Sequence, residues 1–323
     1  MDGLCVLSLF DGISCARVAL DRAGIPVASY HACEIDPHAI AISKKNHPDI
    51  VHIGDVRNAA LPPSVDLLIG GSPCQDLSIA KKDRKGLDGD RSGLFWEYVR
   101  ILRQTNPLFF VLENVASMPQ KDKDIISETL GVQPILINAS LVSAQCRKRL
   151  FWTNIPNITQ PEDRGIYLKD ILQTDVDPKF QIKGKFTQTA QTGRNSTKKL
   201  GYVGDVDHQA KRAYDDEGKL PALNVVCNSL VKVGHVGNGP SQGNRVYSTD
   251  GKSVTLSANG GGCGAKTGLY ATDEQIRKLT PIECERLQGL PDDYTSGVAI
   301  TNRYKCLGNA FNVDVVAHIF RAL

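Results

Sequence analysis

Over the first 155 residues, apolar runs of strand length alternate with segments of helical period. Leu4-Cys5-Val6-Leu7-Ser8-Leu9-Phe10 reads as a buried strand, and Ser14 to Ala23 carries apolar residues at helical spacing until Gly24 stops it. Val27 to Ile35 is the next strand and Pro37 to Asn46 the next helix, with Pro37 suited to a first helical turn, where its missing N–H loses no partner. Further strand-length runs follow at 51–53, 65–69, 108–112, 134–141 and 150–152. Strands that are apolar throughout and separated by helices predict a doubly wound α/β domain, a mostly parallel sheet covered on both faces. Past about residue 175 the pattern changes. Residues 178–270 hold 15 of the 29 glycines, with short Val, Thr and Tyr runs and no helical period, which predicts short strands and loops. Helical spacing returns from Asp273, through Thr280 to Gly289 and again from Asn312 to Leu323. The expected organisation is a doubly wound domain over 1–175, a smaller Gly-rich domain over 176–272, and C-terminal helices over 273–323 that return to the first domain.

Composition adds exclusions. With 41% hydrophobic and 23% charged residues, the chain is neither fibrous nor disordered. The balance of 38 Lys+Arg against 35 Asp+Glu leaves a net charge of +3, so any basic surface must come from local placement. No apolar run approaches the roughly 18–20 residues of a membrane span, and the first residues lack the pattern of an export leader, so a cytoplasmic location is expected. Nine cysteines are an odd number, and none forms a C-x-x-C pair. This argues against a disulfide framework and a zinc ribbon, and no metal is expected.

Open α/β sheets bind ligands at the carboxyl ends of their strands, so the residues just past each strand carry the functional reading. After the first strand comes Phe10-Asp11-Gly12-Ile13-Ser14, a turn whose glycine permits close backbone approach. The second strand ends in Glu34-Ile35-Asp36, with Glu34 lying 22 residues after Gly12, about the spacing at which a carboxylate meets a ribose hydroxyl. The dinucleotide fingerprint G-x-G-x-x-G is absent, which favours an adenosyl ligand without a pyrophosphate. The third strand leads to Gly54-Asp55-Val56, where a carboxylate is able to accept from an adenine amino group. Singly, each of these also reads as a helix cap or a turn.

The fourth strand ends in Gly70-Gly71-Ser72-Pro73-Cys74-Gln75, followed by Lys81-Lys82-Asp83-Arg84-Lys85. Of the nine cysteines, Cys74 alone combines a strand-end loop with nearby positive charge, a setting that favours the nucleophilic thiolate. The fifth strand ends in Glu113-Asn114-Val115 and sets a carboxylate at the next strand end, a candidate acid beside a candidate nucleophile.

These segments together resemble the DNA (cytosine-5)-methyltransferase family, of bacterial or bacteriophage type. Phe10 and Gly12 match its first motif, Pro73-Cys74 its catalytic dipeptide, Glu113-Asn114-Val115 its ENV motif and Gln145-Cys146-Arg147-Lys148-Arg149 its Q-x-R-x-R motif. Leu279 to Gly289 resembles the motif that closes the recognition domain, and Gly308-Asn309-Ala310 with Asn312-Val313 resembles the last motif. The run Asp76-Leu77-Ser78 departs from the frequent Pro-Phe-Ser and is similar to the animal de novo enzymes.

The resemblance implies a class I S-adenosylmethionine-dependent methyltransferase fold with a target-recognition domain, double-stranded DNA as substrate, and no obligatory protein partner. It implies S-adenosylmethionine held by Phe10, Asp11, Gly12, Ser14, Glu34, Ile35, Asp55, Val56, Asn309, Asn312 and Val313. It further implies a cytosine flipped out of the duplex. Cys74 would attack its C6 while Glu113 protonates N3, Arg147 and Arg149 would hold the base oxygen and phosphate, and Ser72, Pro73, Asn114 and Gln145 would line the substrate pocket. Residues 78–91 read as a lid over the base. Arg194, Lys198-Lys199, Lys211-Arg212 and Arg245 read as phosphate contacts or as solvated surface charge. Two alternatives stand beside this reading: a transfer-RNA cytosine-5 methyltransferase, although the Cys-Phe-Thr motif of those relatives is absent, and a catalytically silent DNA-binding protein.

Overall fold

The computed structural model describes residues 3–73, 93–182, 184, 186–188, 230–237, 241–258, 263–272 and 275–323. Among them, β1 (Leu4–Leu9), β2 (Val27–Cys33), β3 (Val51–Gly54), β4 (Leu67–Gly70), β5 (Phe109–Val115), β6 (Ile135–Asn138) and β7 (Lys148–Thr153) form one sheet. Its order is β3-β2-β1-β4-β5-β7-β6. The pairs β2/β3, β1/β2, β1/β4 and β4/β5 are parallel, and β7 runs antiparallel to both β5 and β6. The expected doubly wound sheet is present, and the reversed strand β7 is a feature that apolar runs do not distinguish.

The helices are α1 (Cys15–Ala23), α2 (Pro37–Asn46), α3 (Leu94–Thr105), α4 (Gln120–Leu130), α5 (Pro281–Leu287), α6 (Ile300–Asn309) and α7 (Val313–Phe320). Of these, α3, α4 and α6 are additional to the helices the pattern predicts. Local chemistry sets several ends. Gly24 takes a left-handed φ of 75° and returns its N–H to Leu20 and Asp21, stopping α1. The Asp36 side chain accepts from the His38 amide with Pro37 at the first turn of α2, and Thr280 and Glu283 form a reciprocal cap on α5.

Successive residues of the central strands point to opposite faces, and both faces are buried. Val6, Ile69 and Val111 pack with α1 and α7, whereas Leu7, Leu68 and Leu112 pack with Phe95 and Tyr98 of α3, Ile126 of α4 and Trp152. The C-terminal α7 buries Val313, Val315, Val316, Ala317, Ile319 and Phe320 and lies on α1, so the end of the chain completes the helical layer on that face of the first sheet.

A second sheet contains β8 (Phe186–Gln188), β9 (Lys232–Val236), β10 (Arg245–Ser248), β11 (Leu269–Ala271) and β12 (Ile276–Arg277), in the order β12-β11-β10-β9-β8. Its small core is Phe186, Val236, Val246, Leu269 and Ile276. Because β12 pairs with β11, this sheet reaches residue 277, past the boundary expected at 272. The two sheets are stitched together by backbone. The Cys146 amide donates to Ser253 O at 2.8 Å and the Ser253 amide to Ala144 O at 2.6 Å. Arg277 and Glu283, 3% and 0% exposed, form a buried ion pair at 2.7 Å that joins β12 to α5. Among the described residues no helix is long and apolar enough to cross a membrane.

Gly308, in the last turn of α6, packs directly on the second region: a Cβ there would lie 2.3 Å from the Ala258 amide nitrogen. Neither backbone is able to yield by that much without moving an element. Gly308→Ala is therefore expected to destabilise the fold by about 1–3 kcal/mol, measured as a lower midpoint in chemical denaturation.

Candidate active site

The site is assembled by strand register. Leu9 pairs with Cys33 and with Gly70, Gly70 with Leu112, and Cys33 with Gly54. Gly54, Cys33, Leu9, Gly70 and Leu112 thus form one row across five parallel strands. Each following residue, Asp55, Glu34, Phe10, Gly71 and Glu113, emerges on the same rim. The antiparallel β7 brings its amino end there instead, with Arg149 opposite Val115.

At one end of the rim is a charge pair. Arg149 Nε lies 2.7 Å from Glu113 Oε1, with both side chains largely buried. Glu113 Oε2 faces Gly71, where a Cβ would lie 3.2 Å from that oxygen and 2.8 Å from the Phe311 ring. No side chain fits at Gly71 unless the Phe311 ring or the Glu113 carboxylate moves. Next to it, the Asn114 amide donates to Ser72 Oγ at 3.2 Å while its own oxygen accepts from the Val115 amide. Ser72 and Asn114 thus hold each other and set the direction in which Ser72-Pro73 leaves the sheet. Cys74 and the expected lid, 78–91, lie outside the described residues, as do Arg194, Lys198-Lys199 and Lys211-Arg212. Arg245 is described, exposed at the start of β10.

At the other end is a cradle. The Gly12 amide donates to Glu34 Oε2 at 2.8 Å, and Glu34 Oε1 accepts from the Ile35 and Asp36 amides. A Cβ built on Gly12 or on Gly54 meets nothing within 4 Å, so open space lies against both turns, and Ile35 is 67% exposed beside them. A carboxylate, two open glycine turns and an exposed apolar side chain fit an adenosyl group. Val56 is buried, and its carbonyl accepts from Arg100 of α3 at 3.1 Å. Asp55 is gripped by Arg57, whose guanidinium and amide hydrogen bonds pull the Asp55 pKa down to about 2. Asn309 is exposed at the end of α6.

The structure places several of the expected contact residues away from the open cradle. Ser14 and Val313 are fully buried and offer a ligand no surface. Asn312 spends its side chain on α7, accepting from the Val315 amide and donating to Leu287 O. Both Asp11 carboxylate oxygens are occupied, one by Tyr30 and one by Ser14. Arg147 has different partners from Arg149: it is buried and donates to the carbonyls of Leu256, Gly308 and Ala310, clamping the second region to the end of α6. Gln145 is fully buried at the bridge to Ser253, and among the described residues neither polar atom of its amide is hydrogen bonded. Two residues that sequence reading passed over belong to the site. Phe311 covers Gly71. Lys305, one helical turn before Asn309, pairs with Asp36 at 2.6 Å.

The cysteines sort by environment. Burial pushes the thiols of Cys33 and Cys306 up to about 12 and those of Cys15 and Cys284 well above the usual range. These four are inert packing groups at neutral pH.

A mostly parallel sheet in this order, with one reversed strand and a glycine-lined cradle at its carboxyl rim, has the class I S-adenosylmethionine-dependent methyltransferase fold. The family model for C-5 cytosine-specific DNA methylase matches residues 4–323, and the chain belongs to that family. It is 29% identical over 344 residues to the Type II methyltransferase M.HhaI of Haemophilus parahaemolyticus, covering 99% of this chain and 94% of that protein. It is also 29% identical over 333 residues to the Type II methyltransferase M.NlaX of Neisseria lactamica, covering 97% and 94%. The Entamoeba histolytica methyltransferase EhMeth superposes with a TM-score of 0.67 at 15% identity, covering 100% of this chain and 98% of its own, a likeness of fold.

The Asp36–Lys305 pair has a defined pH signature. Burial opposes the charge on Asp36, but the bonds from Lys305 and the His38 amide outweigh it and hold the carboxyl below its usual range. The bond to Asp36 raises Lys305. A lowered carboxyl stabilises the fold above its unfolded pKa and loses that contribution as pH falls through the folded value; a raised amine loses its contribution only at high pH. Asparagine caps a helix as well as aspartate does, so Asp36→Asn isolates the charge. The expected loss at pH 7 is roughly 0.2–1 kcal/mol, read as a lower melting temperature that converges with wild type in acid.

Proposed function

We propose that this chain transfers a methyl group from S-adenosylmethionine to C5 of a cytosine flipped out of double-stranded DNA. The observation that carries the reading is the Glu113–Arg149 pair standing on the rim from which Ser72-Pro73 leads into Cys74. When bound, S-adenosylmethionine supplies an electrophilic methyl group. Phe10, Gly12, Glu34, Ile35, Asp55 and Asn309 are the residues suited to hold it, with Glu34 toward the ribose and Asp55 toward the adenine; Val56, buried with its carbonyl on Arg100, backs that wall.

The chemistry then belongs to the chain's own side chains. The Cys74 thiolate forms a bond to C6 of the base, and the electrons of the C5–C6 double bond move onto C5. Glu113 places a proton at N3, so the ring does not carry full negative charge, and Arg149 holds Glu113 through one oxygen and leaves the other toward the base. C5 takes the methyl group and loses its proton to a base, the returning electron pair expels Cys74, and N3 gives its proton back to Glu113. Arg147 serves this site through its carbonyl clamp. DNA affinity has to come from local basic groups, because the net charge is only +3, and it should fall steeply with salt.

Incubation with tritiated S-adenosylmethionine and duplex DNA is expected to label C5 of cytosine. Cys74→Ala is expected to abolish labelling, and Glu113→Gln to lower kcat by about 10²–10⁴-fold. Full activity of Cys74→Ala would overturn the mechanism. Labelling of transfer RNA in preference to DNA would instead establish the alternative substrate, and a fluorodeoxycytidine duplex that forms no covalent adduct would point to a silent DNA-binding protein.

A further inference from the structure

The turn that forms the floor of the cradle is held from beneath by a chain of hydroxyl groups. Phe10, Gly12 and Ser14 all lie in the left-handed region, at φ 56°, 62° and 61°. Two of these three are not glycine, so surrounding bonds must hold the turn in place. Those bonds converge on Asp11. Its Oδ1 accepts from the Tyr30 hydroxyl at 2.7 Å and its Oδ2 from Ser14 Oγ at 2.5 Å. Ser14 Oγ lies 2.6 Å from Ser43 Oγ on α2, and Ser43 Oγ lies 3.2 Å from His52 Nε2 on β3.

Proton counting gives this chain one direction. A serine hydroxyl has a single proton. Ser14 donates its proton to the carboxylate, so toward Ser43 it accepts. Ser43 has then donated its own, so it accepts in turn from His52, which must carry its proton on Nε2. An independent observation agrees: among the described residues His52 Nδ1 is buried without a partner, and a proton there would be an orphan donor. The chain therefore runs from His52 to Ser43, to Ser14 and to Asp11, with Tyr30 donating to the second carboxylate oxygen.

We propose that Asp11, Tyr30, Ser14, Ser43 and His52 form a positioning relay that holds the Phe10–Ser14 turn in its left-handed form and so presents Gly12 and Glu34 to the cofactor. The link is direct, because the Gly12 amide anchors Glu34 Oε2. None of Tyr30, Ser14 or Ser43 is more than 2% exposed, so they act through the turn and not by touching ligand. This inference rests on the adenosyl-cofactor reading and assigns Asp11 to the scaffold beneath the cradle.

The test measures S-adenosylhomocysteine binding by calorimetry to the wild type and to Asp11→Asn, Tyr30→Phe and Ser43→Ala. Each variant is expected to bind about tenfold more weakly, the net worth of one hydrogen bond, with kcat at saturating cofactor unchanged within about twofold. Ile42→Val, a truncation of the buried neighbour of Ser43 that leaves the relay intact, is expected to keep wild-type affinity. In ligand-free protein, nitrogen NMR is expected to show His52 protonated on Nε2, a preference that Ser43→Ala removes. Wild-type affinity in Tyr30→Phe and Ser43→Ala would overturn the relay, as would an equal loss in Ile42→Val or a His52 protonated on Nδ1. A wild type that does not bind S-adenosylhomocysteine would overturn the cofactor reading and the relay's role in it together.

Discussion

The structure depends on the register of five parallel strands. Gly54, Cys33, Leu9, Gly70 and Leu112 stand in one hydrogen-bonded row. A slip of one residue in any pairing would turn the buried side chains of that strand to the other face and move its terminal polar residue out of the rim. Both faces of the central strands are apolar and covered, so the burial that stabilises the sheet also penalises every other register. Functional placement is in this sense a by-product of core packing. Asp55, Glu34, Phe10, Gly71 and Glu113 meet on one edge because the residue before each of them belongs to the same row.

Charged groups on this rim are held in pairs or by backbone, each in a way that suits its depth. Glu113 and Arg149 are both largely buried and neutralise each other. Arg147, deeper still, donates to three carbonyls and becomes a joint between the two regions. Asp55 with Arg57 and Asp36 with Lys305 lie nearer solvent, where pairing costs little desolvation and stabilises modestly. Asp11 is the exception: among the described residues its buried carboxylate has no cation bonded to it and is held by hydroxyl donors, which fix its direction without adding a competing charge beneath the cradle.

The return of the C-terminus has the same logic. α7 is apolar around most of its circumference and needs burial on several sides, which packing on α1 supplies. That docking carries α6 across the rim, placing Asn309 and Lys305 beside the second strand's end and Phe311 over Gly71. A helix far along the chain thus closes a site whose other walls come from the first half.

Much of this was legible in residue order. The apolar runs that became β1 to β5, the caps on α1, α2 and α5, and the polar residues just past each strand follow from local periodicity and turn chemistry, which act over a few residues. Pairings did not follow. Arg147 and Arg149 look alike in sequence, yet one meets carbonyls and the other Glu113, because β7 begins between them and runs antiparallel to β5. Ser14, Asn312 and Val313 sit in motifs that suggest ligand contact but are consumed by the fold itself, and Lys305 and Phe311 acquire roles only through the docking of α6 and α7. The sequence by itself determined which residues stand at the strand ends, since alternation and helix signals are written locally. Only the tertiary structure decided which of them face a ligand and which face one another, since burial and hydrogen-bond partners are set by contacts between residues far apart in the chain.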